Sequence, residues 1–347
     1  MIPYTIREHV SLADRNTFGV EATAAVLAEV HDADALGEVL ALDRCADLPV
    51  LVLGEGSNIL VTADWPGLVI TLALDAVEQV ESDESRALLR VGAGVGWDAL
   101  VDWTLVHGLE GLENLALIPG LAGAAPIQNI GAYGVEIREY IDAVTAWDRR
   151  AQQFVRFTNP ECEFSYRESR FKRDPDRWIV TSLDLELPRH HELQLEYSGV
   201  RAELATLGIE RPTARDVATA VRRLRRRKLP DPARIGNAGS FFKNPVVARD
   251  RFAALRDRYP EMPAFPLDDA AAAKLSAGWL IEACGLKGLR VGDAGVSAQH
   301  ALVLVNHGRA TGAEILAVAQ QVIDTVVERF GIVLEPEPRI VGATISR

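Results

Sequence analysis

The sequence predicts an α+β protein of two or three domains. Three observations carry that prediction. A chain of 347 residues exceeds what one ordinary hydrophobic core fills. Runs of β-branched and apolar residues separated by charged turns crowd the middle of the chain, at 143 to 147, 153 to 157 and 178 to 187. Amphipathic helices with recognisable N-caps open near Thr213 and Thr311.

Charge and composition bound the function. A formal net charge of −12 opposes a generic nucleic-acid or anionic-membrane surface, so the expected partner is a small molecule. Cys45, Cys162 and Cys284 stand far apart without a C-x-x-C pair, and seven scattered histidines show no ligand spacing. Neither a disulfide framework nor a metal site is expected, and a reducing cytoplasm suits the chain. The first ten residues, MIPYTIREHV, carry charges where a signal peptide needs an apolar core. No segment reads as transmembrane and no long exposed apolar stripe asks for a partner, so a monomer is expected.

In chain order, 24 to 30 reads as a strand, Asp32 caps a helix to about Leu42, and 49 to 53 reads as a second strand, giving a β-α-β unit. It ends in Gly54-Glu55-Gly56-Ser57-Asn58, a turn able to offer several N–H groups to a phosphate. Neither this turn nor Gly92-Ala93-Gly94-Val95-Gly96 has the G-x-G-x-x-G spacing, so the Rossmann dinucleotide fingerprint is absent. The apolar Ile59-Leu60-Val61 follows the Gly54 to Asn58 turn, 67 to 74, 77 to 81 and 87 to 91 read as strands, and Trp97, Leu100, Val101 and Thr104 recur at helical spacing until Gly108. Pro119 to Gly134, PGLAGAAPIQNIGAYG, has four glycines, four alanines and no charge. Such a run either cradles a flat or phosphorylated cofactor or packs as a buried loop, and composition leaves both open. Beyond it, Val217, Val221 and Leu224 form the buried face of a helix whose Arg222, Arg223, Arg225, Arg226 and Arg227 mostly face water. Pro230-Asp231-Pro232 reads as a hinge. The last region holds a strand at 301 to 305 and a long helix opened by a Thr311/Glu314 capping box and closed near Gly331.

Three polar groups invite a chemical reading. Arg167 sits among Phe164, Tyr166 and Phe171, where a guanidinium can clamp a carboxylate or pair with Glu163 or Glu168. Ser240, between a glycine turn and Phe241-Phe242, either exchanges a proton or is a turn serine. Glu337 is held between Pro336 and Pro338, as a rigid acid or as the partner of Arg339. G-x-S-x-G does not occur, so the nucleophile elbow of a hydrolase is unsupported.

Taken together, eight segments resemble one family in its own order. They are NTF at 16 to 18, LGEGSN at 53 to 58, IPG-x-x-G-x-x-PIQNIGAYG-x-E at 118 to 136, and YR-x-S-x-FK at 166 to 172. KLPDP at 228 to 232, GNAGSFFKNP at 236 to 245, AGWLI-x-x-CGLKG at 277 to 288 and LEPE-x-R at 334 to 339 follow. The chain is thereby similar to the UDP-N-acetylenolpyruvoylglucosamine reductases (UDP-N-acetylmuramate dehydrogenases), in the subclass with a tyrosine-bearing loop.

The resemblance implies a two-subdomain FAD-binding fold of the vanillyl-alcohol-oxidase type plus a C-terminal α+β substrate-binding domain. The expected boundaries are 1–66 with a return of 338–347, then 67–228, then 229–337. Non-covalent FAD is expected on Gly54, Gly56, Ser57, Asn58, Ile118, Pro119, Gly120, Gly123, Ala124, Ala125, Gly131 and Tyr133. NADPH is the implied co-substrate and UDP-N-acetylglucosamine enolpyruvate the substrate, in peptidoglycan precursor synthesis in a bacterial cytoplasm. Arg167 and Glu337 are implied to stabilise the charge that follows hydride addition, and Ser240 to deliver the proton. Tyr197, Lys228, Asn244 and Gln299 are implied near the sugar nucleotide. Two departures stand out: Leu121-Ala122 and Ala124-Ala125 replace polar or cysteine residues of many relatives, which leaves mainly backbone to hold the flavin, and Pro338 follows the acid. The rival readings are a flavin-dependent oxidase of the same fold and a sugar-nucleotide or nucleic-acid binding module using the arginine run.

Overall fold

A computed structural model describes residues 2–197, 199–265 and 271–342, and the chain parts into two compact units. The first comprises Met1–Val10, Ala24–Glu55 and Pro66–Arg227; the second comprises Ser11–Thr23, Gly56–Trp65 and Lys228–Arg347. The expected break after residue 228 thus falls within one residue of a unit boundary, whereas the expected segment 1–66 is divided. Residues 11–23 and 56–65 belong with the C-terminal half because Phe18, Val20 and Leu60 lie in its core. Of the expected return 338–347, residues 343–347 lie outside the described residues.

In the first unit, Asp32 caps its helix as the sequence predicts, its carboxylate accepting the Asp34 N–H at 3.1 Å. The strands on either side, Thr23–Val30 and Val50–Val52, share a four-stranded sheet, but Trp65–Leu72 lies between them. Trp65–Leu72 runs parallel to Val50–Val52. A second, five-stranded antiparallel sheet has the order Gln153–Thr158, Ile141–Asp148, Trp178–Pro188, Arg86–Gly92 and Val77–Ser82. Its central strand, Trp178–Pro188, opens on the apolar Trp178-Ile179-Val180 and is buried through residue 185 apart from the half-buried Ser182, whereas Glu186 faces water. Asp184 lies in this strand at 2 % exposure and is compensated by Arg90 from the adjacent strand Arg86–Gly92 and by Arg156 from Gln153–Thr158, two strands away on the other side. Burial pushes its carboxyl up, but the hydrogen bonds from the two arginines outweigh burial and hold it below its ordinary value. The helix Trp97–Val106 follows, with Gly108 at φ +66 just beyond its end, and Trp97 donates from Nε1 to the Leu115 carbonyl at 3.0 Å.

In the second unit, the helix Gly312–Phe330 is the main packing element. Thr311 and Glu314 form the predicted capping box and Gly331 closes the helix at φ +65. Ile315, Ala319, Val322, Ile323, Val326 and Phe330 are buried as the periodicity requires, while Leu316 is half-buried. A Cβ at Gly312 would lie 1.8 Å from the Val61 carbonyl oxygen, so only glycine lets this helix start against the strand Ile59–Val61. That strand pairs in parallel with Arg339–Val341, closing the end of the chain onto the same unit. The strand expected at 301 to 305 is shorter and later, Leu304–Asn306, because Val303 donates to the His300 carbonyl and turns the chain there.

Candidate functional site

The expected site residues divide between the units. Gly54, Ile118, Pro119, Gly120, Gly123, Ala124, Ala125, Gly131, Tyr133, Arg167 and Tyr197 belong to the first; Gly56, Ser57, Asn58, Lys228, Ser240, Asn244, Gln299 and Glu337 belong to the second.

Within the first unit, the two glycine-bearing segments meet. Gly54 lies against the Leu121 side chain, where an added Cβ would make ordinary contact at 3.6 Å, and the Gly120 N–H donates to the Glu55 carboxylate at 2.9 Å. Pro119 and Ala124 are exposed, whereas Ala122 and Ala125 are buried. The N–H groups of Ala122, Gly123, Ala124 and Ala125 already donate to Val95, Ala93, Leu121 and Ala122 carbonyls. A Cβ on Gly123 would meet that of Ala93 at 2.5 Å. The N–H groups of 122–125 are thus engaged within the protein, as in a packed loop. A rim bare of long side chains suits a flat aromatic cofactor.

Arg167 is aimed at this rim. Ser165 and Glu168 exchange backbone hydrogen bonds across the two-residue loop Tyr166-Arg167, which places Arg167 at φ +56. Its Nη2 donates to the Gly131 carbonyl at 3.0 Å. Glu163, one partner expected for it, pairs instead with Arg170 and Arg173. Leu117, Asn129 and Tyr133 also have positive φ, at 59°, 44° and 48°. Each costs about 1 kcal/mol or more for a side-chain-bearing residue, and such strain concentrates where function fixes the backbone. The Tyr133 ring meets that of Tyr197 edge-on, with centroids 5.4 Å apart, and Tyr197 is 48 % exposed.

The arginine helix, Ala214–Lys228, keeps its mostly outward charged face, with Arg223, Arg226 and Arg227 exposed and Arg222 and Arg225 half-buried. Arg222 is bound by Asp98 and Asp102, and Arg223 and Arg227 converge on the buried Glu203. Arg225 turns inward and donates to the Leu117 carbonyl at 3.1 Å; burial lowers its pKa, partly offset by Tyr133 and reinforced by Arg167. The sequence carried this signal: Val217, Val221 and Arg225 recur four residues apart, one stripe of a helix.

Within the second unit, the expected residues gather on a few backbone pairings. Thr17 donates to the Gly56 carbonyl from both N and Oγ1, and Asn237 donates to the Thr17 carbonyl, so the NTF, GEGSN and GNAGS segments clasp one another. Gly56 sits at φ +66 where a Cβ would lie 2.1 Å from the Arg15 carbonyl oxygen. The Glu337 N–H donates to the Phe241 carbonyl at 2.8 Å and Phe242 bridges to Pro336, which sets Ser240 and Glu337 on neighbouring antiparallel segments. Both are half-buried above the fully buried Phe241 and Phe242. Asn58 Nδ2 reaches the Glu337 carbonyl at 3.5 Å, and its own carbonyl accepts from Arg339. Asn244 Oδ1 caps the Ala277 N–H at 3.0 Å. The Gln299 N–H donates to Ser297 Oγ, and next to it His300 has its pKa lowered, chiefly by burial and then by Lys228 and Lys287. A separate cavity of about 490 Å³ is lined by Asn16 to Gly19, Pro232 to Gly236 and Asn306 to Gly308, and none of the expected substrate residues borders it.

Comparison with known proteins bears on both units. Residues 24–154 match the FAD binding domain family, and residues 231–341 match the C-terminal domain of UDP-N-acetylenolpyruvoylglucosamine reductase. Proteins named UDP-N-acetylenolpyruvoylglucosamine reductase from Xanthomonas euvesicatoria pv. vesicatoria and Xanthomonas campestris pv. campestris are 51 % and 52 % identical over 340 residues. In each case the match spans 98 % of this chain and 97 % of the relative. Among solved structures, the UDP-N-acetylenolpyruvylglucosamine reductase from Thermus caldophilus superposes with a TM-score of 0.69 at 28 % identity, covering 97 % of this chain and all of that one.

Proposed function

Because the chain belongs to the UDP-N-acetylenolpyruvoylglucosamine reductase family, a family of FAD-dependent oxidoreductases, we propose that it reduces UDP-N-acetylglucosamine enolpyruvate to UDP-N-acetylmuramate at the expense of NADPH. The reaction serves peptidoglycan precursor synthesis in the bacterial cytoplasm, and the protein acts as a monomer on small molecules. The observation that carries this reading is the pairing of Ser240 with Glu337 across the Phe241–Glu337 backbone bond, in a chain that also presents Arg167 on the rim expected to hold the cofactor.

The residues that would hold FAD are Gly54, Gly56, Ser57, Asn58 and Gly120, with Ile118, Pro119, Gly123, Ala124, Ala125, Gly131 and Tyr133 shaping its bed. When bound, it takes a hydride from NADPH and supplies it to the terminal vinyl carbon of the enolpyruvyl group. That addition leaves negative charge on the neighbouring carbon and its carboxylate. Arg167 clamps the carboxylate, and Glu337 shares in stabilising the developing charge. Ser240 gives its hydroxyl proton to the charged carbon, completing the saturated lactyl ether. A serine is a weak acid in water, so this transfer depends on placement, which the buried phenylalanines after Ser240 provide. Lys228 is suited to the diphosphate, and Tyr197, Asn244 and Gln299 to the uridine and sugar. We retain as part of this reading the functional division into 1–66 with 338–347, 67–228 and 229–337.

An absorbance spectrum tests the reading. The purified protein should be yellow, bleach with NADPH, and regain colour without oxygen when UDP-N-acetylglucosamine enolpyruvate is added. A bleached flavin that oxygen restores but the enolpyruvyl compound does not would replace the reductase reading with an oxidase.

A further inference from the structure

Residues 189–197, between the strand Trp178–Pro188 and the helix Val200–Thr206, are irregular, yet they carry Tyr197. What fixes them is the turn just before the glycine-rich stretch. His191 Nε2 lies 2.6 Å from Glu113 Oε1, and the other oxygen of Glu113 accepts the Gly111 N–H at 2.7 Å. The His191 N–H donates to Glu110 at 3.2 Å. Asn114 Nδ2 donates at 2.9 Å both to the Gln194 carbonyl in the loop and to the Tyr133 carbonyl in the glycine-rich stretch. Glu113 and Asn114 are wholly buried, and Asn114 Oδ1 takes no hydrogen bond, so its amide is committed to these two carbonyls. An ionised carboxylate and an amide are costly to bury, and here both are spent on one irregular loop.

We propose that Glu113, Asn114 and His191 are positioning residues that set the reach of Tyr197 toward the sugar nucleotide by tying its loop to the carbonyl of Tyr133. The inference rests on the substrate role given to Tyr197 above. Its chemistry has a direction. The hydrogen bond to Glu113 raises the His191 pKa against the opposing effect of burial, with Glu113 and Glu110 charges adding to the rise. The other groups around the pair are Tyr140, whose hydroxyl is kept protonated by burial and by Glu113, and Glu139 beyond it. Arg189 turns away to the Asp83 carbonyl and Ser82 Oγ. The His191 charge is therefore present below its ordinary value of 6.5 and is given up as pH rises through the raised one. The neutral ring can still donate one bond, but the buried carboxylate loses its counter-charge and the loop loosens.

The test uses the full-length flavoprotein. Hydrogen exchange of the 191–197 amides, corrected for the intrinsic pH effect, should quicken about tenfold between pH 6 and pH 9 in the unmodified protein, and His191→Gln should show the fast rate at both. The same substitution should raise KM for UDP-N-acetylglucosamine enolpyruvate about tenfold at pH 6 with kcat within about twofold, a loss of ground-state positioning rather than of chemistry. Glu113→Gln, in which a neutral amide keeps the shape, should reproduce both effects, and joining it to His191→Gln should add little. Unchanged exchange and KM in His191→Gln would overturn the proposal. If the unmodified protein does not turn over the enolpyruvyl compound, the functional reading fails while the exchange experiment still decides whether the clamp exists.

Discussion

At the scale of single residues, the chemistry rests on groups whose neighbours are already arranged. Ser240→Ala keeps the fold of its turn, because Asn237 and the Phe241 and Phe242 anchors shape it, so NADPH should still bleach the flavin. Stopped-flow reoxidation by the enolpyruvyl compound should slow by about 100-fold or more, the usual yield of a positioned proton donor. Equal slowing of both half-reactions would mean that the serine has another role. Asp184→Asn tests a different kind of residue, a buried carboxylate at no proposed reaction site. Its two arginines are half exposed and can rehydrate, so the expected loss is about 1.5–3 kcal/mol in denaturant unfolding, with the flavin spectrum retained. The aromatic setting of Arg167 left a carboxylate clamp and an ion pair both open, and its direction was not legible. The sequence allowed a pair with Glu163, and only the left-handed turn at Arg167 points the guanidinium at Gly131 instead.

Elements show where local code suffices. The capping box at Thr311 and Glu314 and the glycine at 331 bound their helix in the fold as they do in the sequence, since both signals act within one turn. Thr311→Ala should cost about 1 kcal/mol, read as a lower unfolding midpoint without loss of flavin. The GEGSN turn behaves otherwise. Gly56→Ala meets both a left-handed φ and the Arg15 carbonyl, and should lower the thermal midpoint and release flavin during gel filtration. The arginine helix exposes most of its arginines as its pattern predicts, but its ion pairs were not legible. Its Arg222, Arg223 and Arg227 partners, Asp98, Asp102 and Glu203, lie on other segments, so nothing near the run announces that the charges are answered.

For the whole molecule, stability should be bounded on the acid side by paired carboxylates. Arg177 holds the Asp148 carboxyl down at about 2, Asp184 is lowered by its arginines against burial, and Arg227 leads the lowering of Glu203 against burial. Each contributes fully above its ordinary value, 3.8 for aspartate and 4.5 for glutamate, and the contribution is lost as pH falls through the depressed one. His300, with its lowered pKa, adds a cost whenever it must be protonated, below 6.5. Thermal midpoints should therefore sink gently below pH 6.5 and steeply between pH 4 and 2; a flat profile down to pH 3 would contradict the pairing. The sequence by itself determined the α+β class, the caps and turns, and the family, because each is written in contiguous residues or in the order of short motifs. Tertiary structure alone decided that residues 11–23 and 56–65 pack with the C-terminal half, that the alanines at 122, 124 and 125 spend their N–H groups on the protein itself, and that His191 and Glu113 meet. The first and last of these, and the Ala122 N–H bond to Val95, depend on burial and on partners tens to hundreds of residues away, and a one-dimensional pattern carries no record of which distant group will answer a buried charge or an unspent N–H.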